Sequence, residues 1–148
     1  SLEINEEKHN ANVQHLFDKY AQMEKEEVLY EEHNVEDADV LLVAFGTMGR
    51  NIKAAMNEGR KQGLKIGTFR PITLFPFPNK RLSELADKTK KIIVAEMNMG
   101  QMIKDVKVAV NGKAEVVHLG RPAGEWIDVD ETLDAVRKMI GDTHAASV

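Results

Sequence analysis

The chain has 148 residues and no cysteine. This absence excludes disulfide bonds, a cysteine nucleophile, and any iron–sulfur cluster or thiolate zinc site held by the chain itself. It agrees with a reducing compartment, so we expect the protein to be cytoplasmic. No apolar run approaches the roughly 18 to 20 residues that a membrane span needs, and the start shows no signal-peptide pattern. We therefore expect no membrane partner.

An excess of either charge is also lacking, since 20 Lys and Arg stand against 24 Asp and Glu. Residues 1–39 carry 12 acidic and 3 basic side chains, whereas residues 40–148 carry 12 acidic and 17 basic ones. This small basic excess, without basic runs between aromatic residues, excludes an evident nucleic-acid surface. With 43% apolar residues, the composition indicates one globular domain.

The sequence offers no recognisable catalytic or metal-binding constellation. Its five histidines show no metal-ligand spacing, and no Ser–His–Asp or paired-carboxylate arrangement follows from residue order. These histidines are His9, His15, His33, His118 and His144. We expect no bound metal, assign no catalytic residue, and interpret His118, within a predicted strand, as a packed or edge histidine.

The first segment that is clearly patterned is a predicted amphipathic helix over residues 5–27, with Asn5 as its N-cap. Its other faces are very polar, so the helix either packs one stripe on the domain or connects it to an upstream segment. A short strand is predicted at 28–30 and an acidic turn region at 31–39. The start at Ser1 rather than Met suggests a fragment or a processed product.

From Val40 onward, short apolar runs alternate with helical stretches. Strands are predicted at 40–45, 65–69, 92–95 and 115–119, each followed by a helix or a loop that leads to one. Asn79 and Asp130 are the predicted N-caps of two of these helices, and Gly141 ends the last. The alternation predicts a three-layer α/β/α domain with a largely parallel sheet. If residues 28–30 join the sheet, the short connection to Val40 makes their strand antiparallel.

In such a sheet, ligands and partners meet the loops after the carboxyl ends of the strands. These loops are 46–49, 70–78, 96–100 and 120–124. From them we select as ligand or interface candidates Gly46, Thr47, Met48, Gly49, Arg70, Pro71, Thr73, Phe75, Phe77, Glu96, Asn98, Gln101 and Arg121.

The candidates admit structural as well as functional interpretations. The Gly46–Gly49 turn resembles a phosphate-binding turn but matches no complete motif, and a structural turn is favoured. Glu96 follows a buried strand, so its carboxylate must pair with a charge, accept hydrogen bonds or face a cleft, and capping a helix or holding a loop is favoured over catalysis. Arg70 and Arg121 could clamp an anion or bridge to a partner. The apolar segment 72–77 is either an interface or part of the core.

Four sequence stretches together resemble a known family. They are VLLVAFGTMG (40–49), RPITLFPFP (70–78), AEMNMGQM (95–102) and HLGRP (118–122). In this order they resemble the C-terminal domain of the α subunit of 2-oxoacid:ferredoxin oxidoreductases, especially the 2-oxoglutarate and 2-ketoisovalerate types. The resemblance covers about 28–140.

The resemblance implies a transketolase C-terminal-like fold, with a five-stranded sheet in which one strand is antiparallel. Residues 1–27 then form a connector helix from an upstream domain, residues 28–141 the α/β domain, and residues 142–148 a flexible tail. Enzymes of this family oxidatively decarboxylate a 2-oxoacid to an acyl-CoA and reduce ferredoxin, using thiamine diphosphate, magnesium, iron–sulfur clusters and CoA. We expect none of these cofactors to be bound by this chain, and the isolated chain to be inactive.

The resemblance also implies partners, namely a thiamine-binding β subunit, an iron–sulfur subunit, ferredoxin indirectly, and self-association through this domain. Two alternatives stay open at this point. One is the corresponding domain of a transketolase or of a 2-oxoacid dehydrogenase β chain, which shares the fold. The other is a free-standing α/β module that binds an anion or nucleotide at 46–49.

Overall fold

The computed structural model describes residues 6–122 and 125–141, which form a five-stranded sheet between two pairs of helices, preceded by a long helix. The elements in chain order are α1 (Glu6–Glu26), β1 (Tyr30–His33), β2 (Val40–Val43), α2 (Met48–Lys61), β3 (Ile66–Pro71), α3 (Asn79–Lys88), β4 (Lys91–Glu96), α4 (Met102–Val110), β5 (Glu115–Gly120) and α5 (Val129–Ile140).

The strands lie in the order β1-β3-β2-β4-β5. All neighbours from β3 to β5 are parallel, and β1 runs antiparallel to β3 at one edge. This arrangement confirms the predicted three-layer domain with a mostly parallel sheet. The connection from β1 to β2 is too short for a parallel crossover, which is why the first strand is the antiparallel one.

The central strand β2 shows why the sheet is buried on both faces. Its four residues are all apolar and buried, and their side chains alternate between the faces. Leu41 and Val43 pack in a cluster with residues of α3 and α4, whereas Val40 and Leu42 pack with residues of α2 and α5. Alternate side chains of this continuous apolar run therefore pack into the two halves of the core, one on each face of the sheet.

A buried polar contact joins α2 to the start of α5. The Asn51 side chain donates to the carbonyl oxygen of Ile127 at 2.6 Å and accepts from the Thr132 hydroxyl at 3.1 Å. Asn51 and Thr132 are both buried. Removing either side chain would leave the other without this hydrogen bond, which would destabilise the folded state. These bonds fix the two helices on the same face of the sheet.

The predicted segment 28–39 needs correction. The first strand is Tyr30–His33 rather than 28–30, so part of the predicted acidic turn is a strand. β1 tolerates a polar sequence because it is an edge strand and its carboxylates form ion pairs with arginines. Glu31 pairs with Arg70 and Glu32 with Arg81 across the sheet edge, and the bonds to Glu32 raise the pKa of Arg81.

Two predicted helix caps are also wrong. Asn79 is the first residue of α3, and the N-cap is Pro78, which makes no side-chain cap bond. The N-cap of α5 is Asp128 rather than Asp130, because Asp128 and Glu131 form a reciprocal capping box. The predicted cap Asn5 and the predicted tail 142–148 lie outside the described residues.

The strand ends shift by one or two residues. β2 ends at Val43 instead of residue 45, and β3 extends through Arg70 and Pro71, which were predicted to begin a loop. The extension occurs because β1 pairs with this part of β3, placing Tyr30 opposite Pro71 and Glu31 opposite Arg70.

Helix α1 differs from the other helices, since none of its residues is buried. Its one aromatic contact with the domain joins Tyr20 to Phe75, with ring centroids 5.9 Å apart in an edge-to-face arrangement. Within 6–122 and 125–141, neither α1 nor any other helix has the length and apolar content to span a bilayer.

Candidate functional site

The site predicted from the strand ends lies where the direction of the chain connections changes. From β2 the chain continues to β3 on one side, and from β4 it continues to β5 on the other. Such a switch point leaves a crevice beyond the carboxyl ends of the two strands. Here the crevice is a cavity of about 190 Å³, lined by residues 45–48 after β2 and 95–98 at the end of β4.

One wall of the crevice is the turn from β2 into α2. Gly46 has φ +59°, a left-handed conformation that favours glycine, and its carbonyl accepts from the Gly49 amide at 3.2 Å. Thr47 precedes the helix without a side-chain cap bond. The turn thus needs Gly46 for its backbone shape, which agrees with the favoured structural interpretation.

Gly49 differs from Gly46, because the Arg70 side chain lies directly over it. A Cβ atom added at Gly49 would lie 2.6 Å from Cδ of Arg70. The arginine stem therefore covers the first turn of α2, while its Nη1 donates to Glu31 at 3.1 Å. The Nε atom of Arg70 is buried without a hydrogen-bond partner. Arg70 thus contacts the Gly46–Gly49 turn, but its guanidinium already forms an ion pair with Glu31.

The opposite wall carries the buried carboxylate of Glu96, which is 1% exposed. Its Oε1 accepts from the Met102 amide at 2.6 Å and its Oε2 from the Ile103 amide at 3.1 Å. These amides belong to the first turn of α4, where the helix dipole favours a negative charge. Glu96 thus joins the end of β4 to the start of α4, as the helix-capping interpretation predicted.

The loop between β4 and α4 is held by a second polar contact. The Asn98 side chain accepts from the amides of Gly100 and Gln101 at 2.8 and 3.1 Å. This local turn fixes the backbone that leads into α4. Asn98 and Gln101 therefore lie beside Glu96, as the sequence predicted, with Asn98 shaping the loop.

His118 of the edge strand β5 is a member of this cluster that sequence reasoning did not connect to Glu96. Its Nε2 lies 3.6 Å from Oε2 of Glu96 and is buried without a hydrogen-bond partner. A side chain at Gly120 would collide with the imidazole, and one at Gly100 would lie 3.6 Å from Nε2. The only sequence signal was the pair of glycines near a strand histidine, which does not specify a contact.

Arg121 does not join the crevice. Its guanidinium pairs with Glu131, and with Glu125 at 3.7 Å. Glu131 also belongs to the capping box of α5, so Arg121 links the end of β5 to the start of that helix. Of the predicted loop 120–124, residues 123 and 124 lie outside the described part of the chain.

The apolar segment 72–77 was predicted to be either an interface or part of the core, and it contains both a buried and an exposed phenylalanine. Phe77 is buried in the core cluster of α3 and α4, whereas Phe75 is 72% exposed. Thr73 ties the segment to the stretch before β1, since its hydroxyl accepts from the Leu29 amide at 3.0 Å. The peptide bond before Pro76 is cis. The segment is thus anchored at both ends and presents Phe75 outward.

Chemically, the crevice is suited to holding backbone in place rather than to binding an anion. It contains a buried carboxylate, and both candidate arginines already pair with glutamates. Within the described ranges, no three His, Asp or Glu side chains come together as metal ligands. An incoming phosphate would have to compete with an existing ion pair and face Glu96.

Comparison with known protein families shows to which family the chain belongs. The family described as pyruvate:ferredoxin oxidoreductase core domain II matches residues 38–132. The chain belongs to this family. The resemblance stated from the four sequence stretches is thereby confirmed, and it is favoured over the transketolase and dehydrogenase alternatives.

The similar curated proteins are subunits of oxidoreductases. The ketoisovalerate oxidoreductase subunit VorB of Methanothermobacter marburgensis is 42% identical over 88% of this chain and 37% of its own length. The 2-oxoglutarate synthase subunit KorA of Methanocaldococcus jannaschii is 32% identical over 90% of this chain and 36% of its own length. The chain therefore spans little more than a third of the length of these two relatives.

Two solved structures support the fold. A 2-oxoglutarate:ferredoxin oxidoreductase from Magnetococcus marinus matches with a TM-score of 0.79 at 20% identity, over 95% of this chain and 24% of that chain. A split-gene transketolase matches with a TM-score of 0.63 at 23% identity, over 72% of this chain and 39% of that chain. The expected transketolase C-terminal-like fold is confirmed by these neighbours.

Proposed function

We propose that the chain is the non-thiamine-binding domain of the α subunit of a 2-oxoacid:ferredoxin oxidoreductase, which converts a 2-oxoacid to an acyl-CoA and passes the electrons to ferredoxin. The observation that carries this proposal is the 42% identity to a ketoisovalerate oxidoreductase subunit over 88% of the chain. The domain itself contributes to subunit assembly and frames the active site.

The crevice residues support an assembly role. Glu96 and Asn98 hold the loop into α4, and Gly46 and Gly49 shape the turn into α2, so both loops present a fixed backbone at the carboxyl ends of the central strands. In open α/β sheets the crevice at a switch point is where ligands bind; in this chain the arginines that could hold an anion are paired with glutamates, which favours a contact with protein. We propose that exposed residues of these loops, among them Thr47 and Gln101, contact the neighbouring domains, whereas Met48 is 2% exposed and packs in the core.

Cofactor binding is assigned to other parts of the enzyme. The chain has no cysteine for an iron–sulfur cluster, and the described part holds no cluster of three side chains that fits a metal. As the family resemblance implies, we propose that thiamine diphosphate, magnesium and the clusters are held elsewhere in the enzyme, where thiamine diphosphate supplies the carbanion chemistry. We expect the isolated chain to show no oxidoreductase activity.

The proposal includes a domain division and partners. The proposed connector is 1–27, of which the structure describes the helix α1 (Glu6–Glu26), and the proposed α/β domain is 28–141, whereas the proposed tail 142–148 lies outside the described residues. The partners are a thiamine-binding β subunit, an iron–sulfur subunit, ferredoxin indirectly, and a second copy through this domain. The location is the cytoplasm, which the lack of cysteine supports.

The decisive experiment is an anaerobic pull-down from the native source with an antibody against this chain. We expect a larger polypeptide accompanied by a thiamine-binding subunit and an iron–sulfur protein, and ferredoxin reduction that depends on a 2-oxoacid. An antigen of the size of this chain without such companions would contradict the proposal. Testing several 2-oxoacids in the same preparation then identifies the substrate.

A contact between CoA and Arg70 or Arg121 is a narrower proposal, supported by the fit of arginine to phosphate. Since both arginines are paired with glutamates, CoA would have to replace Glu31 or Glu131. In the complete enzyme, Arg70→Ala or Arg121→Ala should then weaken the apparent affinity for CoA. If neither substitution changes that affinity, the arginines are structural.

A further inference from the structure

We propose that α1 docks onto the part of the subunit that lies outside this chain, through an apolar surface that α1 shares with the loop before α3. This inference deepens the proposed function, on which it rests, because it turns a connector helix into an interdomain interface. The surface, here called the α1 surface, consists of Val13, Leu16, Phe17, Tyr20, Leu74 and Phe75.

The first support is the exposure of the α1 stripe. Val13, Leu16, Phe17 and Tyr20 recur at the spacing of one helix face, and all are exposed, with Phe17 at 66%. A helix of 21 residues, about 30 Å long, keeps its shape in water mainly by packing such a stripe. The aromatic contact of α1 with the domain, between Tyr20 and Phe75, lies in its C-terminal half.

The second support is continuity with the loop before α3. The edge-to-face contact of Tyr20 with Phe75 joins the stripe to two further exposed apolar side chains, Leu74 and Phe75. A groove of about 220 Å³ between them also reaches Val108 on α4. Contiguous exposed apolar surface of this kind marks a protein interface.

The third support is the length of polypeptide that lies outside the match. The family match begins at residue 38, after α1, but the match to the Magnetococcus marinus chain leaves only 5% of this chain uncovered. That remainder is about seven residues, fewer than the 21 of α1. Most of α1 therefore has a counterpart in a chain of which only 24% is matched, and the unmatched part of such a chain supplies the polypeptide that we propose covers α1.

Charge disfavours a second copy as the occupant. The first turn of α1 contains Glu6 and Glu7, and its last turn contains Glu24 and Glu26 beside Lys25. Both ends thus carry net negative charge, and two α1 helices would bring like charges together in either orientation. The fitting occupant is an apolar face bordered by basic side chains on the same polypeptide.

The test compares backbone hydrogen exchange of α1 in the full-length subunit with that in the 148-residue chain. We expect the amides of residues 13–23 to exchange at least about 100-fold more slowly in the full-length subunit. Leu16→Glu should abolish this protection. The matched control is Ala11→Glu, which adds the same charge to the opposite face of α1 and should leave the protection unchanged.

The outcomes separate this inference from the proposed function. Equally fast exchange in both proteins overturns the docking, even if the subunit preparation reduces ferredoxin with a 2-oxoacid. Slow exchange in a preparation without that activity keeps the docking and contradicts the function. If the 148-residue chain sediments as a dimer that Leu16→Glu dissociates, the occupant is a second copy and the inference is wrong.

Discussion

Helix α1 and strand β2 each carry apolar side chains at the spacing that the sequence predicts, yet these side chains have opposite environments. All four residues of β2 are buried, whereas none of the 21 residues of α1 is buried. The apolar stripe on α1 and the apolar run in β2 each predict a face that packs against another element. Among the described residues, only β2 is buried by such packing. Hydrophobic periodicity therefore shows which side of an element is apolar and leaves its partner unspecified.

The largest difference between the two elements is expected when a leucine in each is replaced by alanine. Leu42→Ala removes a side chain that is 0% exposed and should destabilise the chain by about 3 kcal/mol, since it leaves a cavity in the core. Leu16→Ala in α1 should cost under about 0.5 kcal/mol. Urea unfolding of both variants measures the difference, and similar losses would show that α1 is packed on the domain.

A smaller effect is expected from a buried carboxylate compared with an exposed one. Glu96→Gln loses one of the two amide bonds at the start of α4 and should cost about 2 kcal/mol. Glu26→Gln at the end of α1, where the carboxylate is exposed, should be close to neutral. Thermal unfolding followed by circular dichroism tests the pair. A neutral Glu96→Gln would contradict the assigned role of this carboxylate.

A third comparison concerns helix ends. Asp128→Ala removes the capping box of α5 and should destabilise the chain by about 1 kcal/mol. Asp18→Ala, which removes the exposed contact with Gln14 on α1, serves as the control and should change stability by less than about 0.3 kcal/mol. Equal effects in urea unfolding would mean that the capping box adds nothing to this fold.

The smallest expected effect is a pH dependence confined to the sheet domain. The hydrogen bond from Arg60 lowers the pKa of Asp37 below its ordinary value. Because the folded pKa is lowered, the stabilisation is present above the unfolded pKa and is lost as pH falls through the folded one. Asp37→Asn should therefore flatten the acid side of the stability profile.

The control for this last prediction removes α1 instead of the ion pair. A chain lacking residues 1–26 keeps Asp37 and Arg60 and should keep the same dependence of thermal stability on pH. An unchanged profile in Asp37→Asn, or a flattened one after the removal of α1, would contradict the assignment.

Much of the fold could be predicted because its strands are continuous apolar runs. β2, β4 and β5 were found within two residues of their ends, and the helix between 48 and 61 by its spacing of apolar side chains. The strand β1 was misplaced because its residues are polar, and its place depends on arginines 39 and 49 residues away. Such pairings belong to the tertiary fold and leave no local pattern.

The candidate site was predictable in the same uneven way. Glu96 stood out because a carboxylate directly after a buried strand needs a partner, and the structure shows that partner to be α4. His118 could not be linked to Glu96, since the register of β5 on β4 decides their contact. Arg121 was expected beside the other loops, but its pair with Glu131 directs it toward α5.

The strand order also has a consequence for the time course of folding. Leu42 pairs with Thr68 after 26 residues and Val94 with His118 after 24, whereas Leu42 pairs with Ile93 only after 51. Short loops close at lower entropic cost, so each β-α-β unit is expected to form before the two units join at the sheet centre. The edge strand β1 can pair only with a finished β3. Although it precedes the other strands in the chain, β1 is thus expected to be among the last to become ordered.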